Sequence, residues 1–91
     1  MARFAVLITF GDKAKRDETR PVHREYLASL YEQGKLVFSG PFADDDGALI
    51  VYECADETAA KAQLAADPYS KADGVVADAQ IREWKQIFPP A

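Results

Sequence analysis

The 91-residue sequence contains only one cysteine and one histidine. A single cysteine, Cys54, excludes a disulfide within the chain and a metal site built from several thiolates, and it is typical of a reducing compartment. Basic residues are outnumbered: 11 lysines and arginines stand against 15 aspartates and glutamates, so the net charge is −4. Nucleic-acid-binding domains usually carry a basic patch or stripe. We therefore expect no nucleic-acid partner.

Long apolar runs are also lacking. The apolar N-terminal stretch MARFAVLITF is far shorter than the ~20 residues of a membrane-spanning helix. No small-residue cleavage site of a signal peptide follows it. We expect a cytoplasmic protein with no membrane partner.

Signals for metal ions and cofactors are weak. One histidine without a thiolate cluster cannot supply the usual zinc ligands. The run Asp44-Asp45-Asp46-Gly47 lacks the spaced ligands and the closing glutamate of a calcium loop, and it indicates a hairpin turn. No glycine-rich phosphate loop occurs. We expect neither a metal nor a cofactor.

The first half of the chain predicts a strand followed by a helix. Residues 3–10 are almost continuously apolar, which is typical of a strand covered on both faces. A helix is predicted over residues 18–33, with Thr19 as its cap and Pro21 in its first turn. Gly34 supplies a C-terminal stop.

The second half predicts two strands, a helix and a last strand. The strands cover residues 35–38, 48–54 and 75–87, and an alanine-rich helix capped by Asp56 covers residues 57–66. The order of elements is β-α-β-β-α-β, in one domain of residues 1–91. Short connections and right-handed crossovers favour an α+β, ferredoxin-like sandwich, with two helices on one face of a four-stranded antiparallel sheet.

Two helices leave the other face of this sheet uncovered. Because the first strand is apolar on both faces, that open face needs a partner. A second copy of the chain is the simplest one, and twofold pairing is the commonest form of oligomer. We expect a homodimer through the open sheet face, with a higher assembly left open.

The only histidine lies in the segment RPVHREYL. On a helix, His23 shares a face with Leu27 and Leu30, because these residues are spaced by three and four. His23 therefore points inward or to the rim of the core.

The topology brings further polar residues to the same end of the sheet. The beginning of the first helix (Arg20, His23), the end of the second strand (Ser39-Gly40-Pro41) and the end of the second helix (Asp67) converge there. A carboxylate bonded to one imidazole nitrogen fixes the tautomer and raises the basicity of the other nitrogen, which can then act as a general acid or base. The candidate catalytic residues are His23 and Asp67.

Substrate contacts are expected from the surrounding residues. A hydroxyl of Ser39, Tyr26 or Tyr69 could orient a substrate, and Arg20 could pair with an anionic group near the positive end of the helix dipole. The candidate substrate-binding residues are Ser39, Gly40, Pro41, Arg20, Tyr26 and Tyr69.

An ordered set of motifs resembles the YciI-like (YCII-related) proteins. It consists of H-x-x-Y-L-x-x-L-x-x-x-G-K-L at 23–36, S-G-P at 39–41, Gly47, D-P-Y at 67–69 and Trp84. The resemblance implies a dimeric α+β barrel of ferredoxin-like subunits with a His–Asp active site between them, in which His23 and Asp67 form the pair and Ser39 is a pocket residue. One branch of the family resembles a dehydrochlorinase of chlorinated hydroxyquinols.

Three functions stay open at this point. The first is a small cofactor-free enzyme that transfers a proton on a small cyclic or phenolic ligand, by isomerisation, elimination or dehydrochlorination-type chemistry. The second is a non-catalytic dimeric module for small-molecule binding or assembly. The third is a purely structural His–Asp contact, because Asp67-Pro68 is also an ordinary helix start with an aspartate cap and proline at the first position.

Overall fold

Seven elements follow one another in the computed structural model, which describes residues 1–90. Ala91, the last residue of the predicted domain, lies outside the described residues. The elements are β1 (Ala2–Phe10), α1 (Lys13–Glu32), β2 (Leu36–Pro41), β3 (Gly47–Cys54), α2 (Glu57–Ala66), α3 (Pro68–Lys71) and β4 (Val76–Trp84).

The four strands form one antiparallel sheet with the order β2-β3-β1-β4. β1 lies in the interior of the sheet, where Val6 is paired with Ile50 of β3 and with Ile81 of β4. This is the predicted α+β, ferredoxin-like fold, and the prediction is confirmed.

The core lies between the helices and one face of the sheet. Phe4, Val6 and Ile8 of β1 are buried there, and they pack with Leu30 of α1 and Ala60 of α2. The alternate residues of β1 face the other way, so the two faces of this strand have different surroundings within one chain.

The first helix begins earlier than the sequence predicts. Asp12 is its N-cap, and the Asp12 carboxylate accepts a hydrogen bond from the Lys15 N–H at 3.0 Å. The prediction that Thr19 caps the helix was wrong, because the Thr19 hydroxyl lies inside the helix and donates to the Lys15 carbonyl at 2.7 Å. Pro21 accordingly lies in the helix interior and not in its first turn.

The strand ends also differ from their predicted bounds. β2 continues through Pro41, because Ser39 and Pro41 still pair with Ile50 and Ala48 of β3. A proline is tolerated there because β2 is an edge strand. β4 ends at Trp84, before the predicted residue 87.

A helix that crosses a membrane must be long and apolar. Within residues 1–90, no helix combines the length and the hydropathy that crossing a bilayer requires.

Candidate active site

His23 and Asp67 are in direct contact. His23 lies on the inner face of α1, as the helical pattern predicts, and its side chain is 10% exposed. Its Nδ1 lies 2.7 Å from Oδ1 of Asp67, whose side chain is completely buried. The contact joins two residues that are 44 positions apart.

Asp67 has a second role as the N-cap of α3. Its Oδ1 also accepts a hydrogen bond from the Tyr69 N–H at 2.9 Å, and Pro68 occupies the first turn of α3. The other carboxylate oxygen, Oδ2, is buried and has no hydrogen-bond partner in the described part of the chain. Asp67 is therefore held in place by both its backbone position and the imidazole.

The contact determines where the proton of a neutral His23 resides. An ionised carboxylate only accepts hydrogen bonds, so Nδ1 must carry the proton that His23 donates to Asp67. The other nitrogen, Nε2, then keeps its lone pair. No residue among 1–90 is hydrogen-bonded to Nε2, and His23 is one of the residues that line a cavity.

One aromatic ring covers a face of the imidazole, and a second ring packs against the first. The Tyr69 ring stacks on His23, and the ring of Phe10 meets Tyr69 edge-on with centroids 5.7 Å apart. Such pairs stabilise a packed site beyond the area that they bury.

The cavity beside His23 has a volume of about 560 Å³. It brings together most of the predicted site residues, namely Arg20, His23, Ser39, Gly40, Pro41 and Tyr69. Its apolar wall comes from residues that include Phe10, Leu27 and Phe38. Asp67 is not part of the lining and contacts the site through His23.

Tyr26 is the predicted site residue that the structure does not bring to the cavity. Its hydroxyl donates to the Gln63 carbonyl of α2 at 2.6 Å, and Tyr26 is not among the residues that line the cavity. Burial, and next the charge of Asp67, raise the pKa of Tyr26. This side chain joins α1 to α2.

Arg16 lines the cavity and was missed by the sequence analysis. Its side chain is only 3% exposed, and its guanidinium donates to the Asp45 carboxylate at 2.7 Å and to the Asp45 carbonyl at 2.8 Å. The same guanidinium lies 4.4 Å from the centre of the Phe10 ring, a cation–π distance. The one available signal was the spacing of seven that places Arg16 on the helix face of His23 and Leu30.

Tyr52 lies in the core with its hydroxyl unpaired. The hydroxyl is buried and has no hydrogen-bond partner within residues 1–90. Burial, and next the negative charge of Asp67, raise the pKa of Tyr52 far above its usual range. Tyr52 therefore stays protonated in the folded chain at any ordinary pH.

A metal site requires several ligating side chains close together. Across the described range, no three side chains of His, Cys, Asp or Glu are grouped so that they could hold a metal ion. The chemistry that the arrangement supports is proton transfer at Nε2 of His23.

Sequence comparison finds a family and two relatives. The YCII-related domain matches residues 2–85. Protein YciI from Escherichia coli O6:H1 and Protein YciI from Shigella flexneri are each 31% identical to this chain over 84 residues, covering 81% of this chain and 85% of the relative.

Comparison with solved structures finds the same fold. The 5-chloro-2-hydroxyhydroquinone dehydrochlorinase TftG from Burkholderia phenoliruptrix AC1100, in complex with 2,5-dihydroxybenzoquinone, superposes with a TM-score of 0.75 at 21% identity, covering 91% of this chain and 93% of that chain. An antibiotic biosynthesis monooxygenase gives a TM-score of 0.59 at 13% identity, with coverage of 93% and 98%. Acylphosphatase from Bacillus subtilis gives 0.58 at 13% identity, with coverage of 98% and 91%.

Proposed function

This chain belongs to the YCII-related domain family, and from that premise we propose that it is a small cofactor-free enzyme for proton transfer on a small cyclic or phenolic substrate. His23 acts as the general base or acid through Nε2, and Asp67 orients its ring. The reaction is an isomerisation or an elimination, including dehydrochlorination-type chemistry.

The observation that carries this proposal is the 2.7 Å contact between His23 Nδ1 and Asp67 Oδ1 on the wall of a cavity. A buried carboxylate on one nitrogen fixes the tautomer and makes the other nitrogen a better base. A positioned base of this kind typically contributes ~10²–10⁴-fold to a rate. The cavity supplies the place where a substrate would meet Nε2.

The cavity lining suits a ring-shaped substrate. Phe10, Leu27 and Phe38 offer apolar surface, and Ser39 offers a hydroxyl on the β2 side. Pockets of this kind bind through apolar area and use a few polar groups for orientation. The dehydrochlorinase among the structural neighbours acts on a chlorinated hydroxyhydroquinone, which is a phenolic ring of suitable size.

The first test measures the tautomer of His23 by ¹H–¹⁵N NMR of the imidazole. His23 is the single histidine of the chain, so its ring signals are identified directly in a protein without a histidine tag. In neutral His23 we expect the proton on Nδ1, and we expect Asp67→Asn to mix the two tautomers. A proton on Nε2 in the native chain would contradict the assignment of Nε2 as the base.

The second test measures turnover. Chloride release from 5-chloro-2-hydroxyhydroquinone is followed for the native chain, for His23→Asn and for Ser70→Ala, a change outside the cavity lining. We expect release by the native chain and by Ser70→Ala, and a loss of at least ~100-fold in His23→Asn. If His23→Asn retains the native rate, His23 is not the acid–base group.

A binding or assembly module is the second candidate. The observation that favours it is the apolar part of the cavity wall, formed by Phe10, Leu27 and Phe38, because such a surface can bind a ring-shaped ligand without any catalytic step. In that case a ligand raises the melting temperature of the native chain while no substrate is turned over.

We also propose a homodimer through the outer face of the sheet. This face is defined by Leu7, Leu49 and Trp84, which point away from the helices: Leu7 pairs with Leu49, and Trp84 pairs with Arg3 on the same face. Leu7 is 36% and Trp84 40% exposed in the single chain. A second copy would cover this apolar surface.

We also propose a cytoplasmic location. Cys54 is a buried free thiol in the described chain, as is usual in a reducing compartment.

A further inference from the structure

The charged residues that line the cavity are mostly basic. They are three arginines of α1, Arg16, Arg20 and Arg24, and one acid, Asp45. The lining therefore has a formal charge of +2, although the whole chain has a charge of −4. The cavity is a local region of positive charge on an acidic protein.

The ion pair between Arg16 and Asp45 removes one charge of each sign. The two groups are 2.7 Å apart, and the Arg16 side chain is 3% exposed. Since the charges of this close pair cancel, the remaining positive charge of the lining belongs to Arg20 and Arg24.

Arg20 forms an ion pair within the described chain, whereas Arg24 does not. Arg20 contacts the exposed Asp17 carboxylate at 2.8 Å, and the Tyr69 hydroxyl beside its guanidinium raises the pKa of Arg20. Arg24 makes no ion pair or side-chain hydrogen bond with residues 1–90. Its neighbours at three and four positions along the helix are Arg20, Pro21, Leu27 and Ala28, none of which is acidic.

The spacing of the two arginines is itself unfavourable. Arg20 and Arg24 are four residues apart on one helix, where like charges destabilise the helix. A single anionic group between them would turn this repulsion into two charge-assisted contacts, and guanidinium groups match the two oxygens of a carboxylate. His23 lies between the two arginines in sequence, and its ring lines the same cavity.

We propose that Arg20 and Arg24 form an anion-binding subsite and that the cavity takes a small aromatic or alicyclic carboxylate. The carboxylate binds at the two guanidinium groups, and the ring lies against the apolar wall near Nε2 of His23. The inference rests on the proposed function for the position of the reacting atom.

The test compares benzoate with benzamide, which has the same shape and no charge. Binding to the full chain is measured by NMR titration, with the His23 ring and the Ser39 and Tyr69 amides as reporters. We expect benzoate to bind at least ~10-fold more tightly than benzamide, and we expect added salt to weaken benzoate binding more than benzamide binding.

Two variants and one control assign the preference to the arginines. Arg24→Met should weaken benzoate binding by about tenfold and leave benzamide binding unchanged, because an ion contact of this kind contributes about a factor of ten. Arg24→Lys should retain part of the preference, since it keeps the charge without the planar fork. The control Lys61→Met removes an exposed charge of α2 outside the cavity and should change neither affinity.

The inference fails if benzoate does not bind at millimolar concentration, if benzamide binds equally well, or if Arg24→Met binds benzoate like the native chain. None of these measurements requires turnover. Selective benzoate binding by a chain that releases no chloride from 5-chloro-2-hydroxyhydroquinone would support the subsite and contradict the proposed enzyme. Chloride release from this neutral compound without benzoate binding would support the enzyme and contradict the subsite.

Discussion

The ring of Tyr69 lies parallel to the imidazole of His23, with 3.7 Å between the ring centroids and 6° between the ring planes. Asp67 bonds to the edge of the same imidazole and to the backbone N–H of Tyr69. Asp67 and Tyr69 therefore fix the imidazole, one from an edge and the other from a face. Its remaining freedom is on the side of the cavity.

The stacking predicts different results for two changes of Tyr69. Tyr69→Phe keeps the ring on His23, so we expect the free energy of unfolding to change by less than about 1 kcal/mol. Tyr69→Leu removes a ring that is 95% buried from its contacts with His23 and Phe10, and we expect a loss of about 2–4 kcal/mol. Urea unfolding measures both values, and equal losses in the two variants would show that the hydroxyl matters more than the ring.

The Arg16–Asp45 ion pair joins α1 to the turn between β2 and β3. In Asp45→Ala the guanidinium of Arg16 stays buried but loses the carboxylate at 2.7 Å and keeps only that of Asp17, 3.9 Å from its Nε. We expect a loss of about 1–3 kcal/mol in the free energy of unfolding, because a buried charge that loses its close partner costs more than an exposed one.

The matched control for this change is Glu57→Ala. Glu57 pairs with Lys61 at the surface, where the Glu57 side chain is 56% exposed. Exposed ion pairs contribute about 0–1 kcal/mol, so we expect a smaller loss than in Asp45→Ala. If both variants lose the same free energy, the burial of Arg16 does not determine the strength of its ion pair.

The raised pKa of Tyr52 predicts that the free energy of unfolding decreases at alkaline pH. Because its pKa is raised in the folded chain, Tyr52 ionises above about pH 10 only when the chain is unfolded. The unfolded state then binds fewer protons than the folded state, so stability is full below pH 10 and decreases as the pH rises. One such group gives a limiting slope of about 1.4 kcal/mol per pH unit.

Tyr52→Phe should reduce this slope by the contribution of one group. Urea unfolding at several pH values within about one unit of the ordinary tyrosine pKa of about 10 measures it. Tyr31→Phe is the control, because the Tyr31 side chain is exposed. A slope that is identical in native protein and Tyr52→Phe would rule out the raised pKa.

Pro21 interrupts the hydrogen bonds of α1 just before His23. Proline has no N–H, so the Asp17 carbonyl four residues earlier receives no helical bond from it. Pro21→Ala restores this donor, and we expect a gain of about 1–3 kcal/mol in stability. The control is Val22→Ala at the neighbouring exposed position, and a loss of stability in Pro21→Ala would contradict the expectation.

The fold and the central pair of the site could be predicted from local patterns. Apolar residues at helical spacing, Leu27 and Leu30, determine the inward direction of His23. Asp67-Pro68 is a helix start that can be recognised by its residue types. The order of elements then brings both residues to one end of the sheet, since few chain topologies are compatible with short connections.

The parts that could not be predicted depend on contacts between distant residues. The start of α1 was missed because Arg16 occupies the inward position where the pattern leads one to expect an apolar residue. Its partner, Asp45, is 29 residues away in a hairpin turn, and nothing local indicates the pairing. Tyr26 is at the edge of the apolar stripe, and only the packing of α2 decides that its hydroxyl reaches Gln63.

Leu7 provides the test of the proposed homodimer. It is central on the outer face of the sheet, where its neighbour Leu49 is also apolar. Leu7→Lys places a charge that would have to be buried between two copies, and burying an unpaired charge is strongly unfavourable. We expect the native chain to sediment at twice its own mass and Leu7→Lys to sediment as a single chain.

Val22→Lys is the control for this change. Val22 is an exposed apolar residue of α1, on the layer that lies opposite to the outer face, so a lysine there should leave the dimer intact. A native chain that sediments as a monomer at every concentration would reject the dimer itself. Loss of the dimer in Val22→Lys but not in Leu7→Lys would place the interface on the helices, and the cavity would then have to be described with a second copy beside α1.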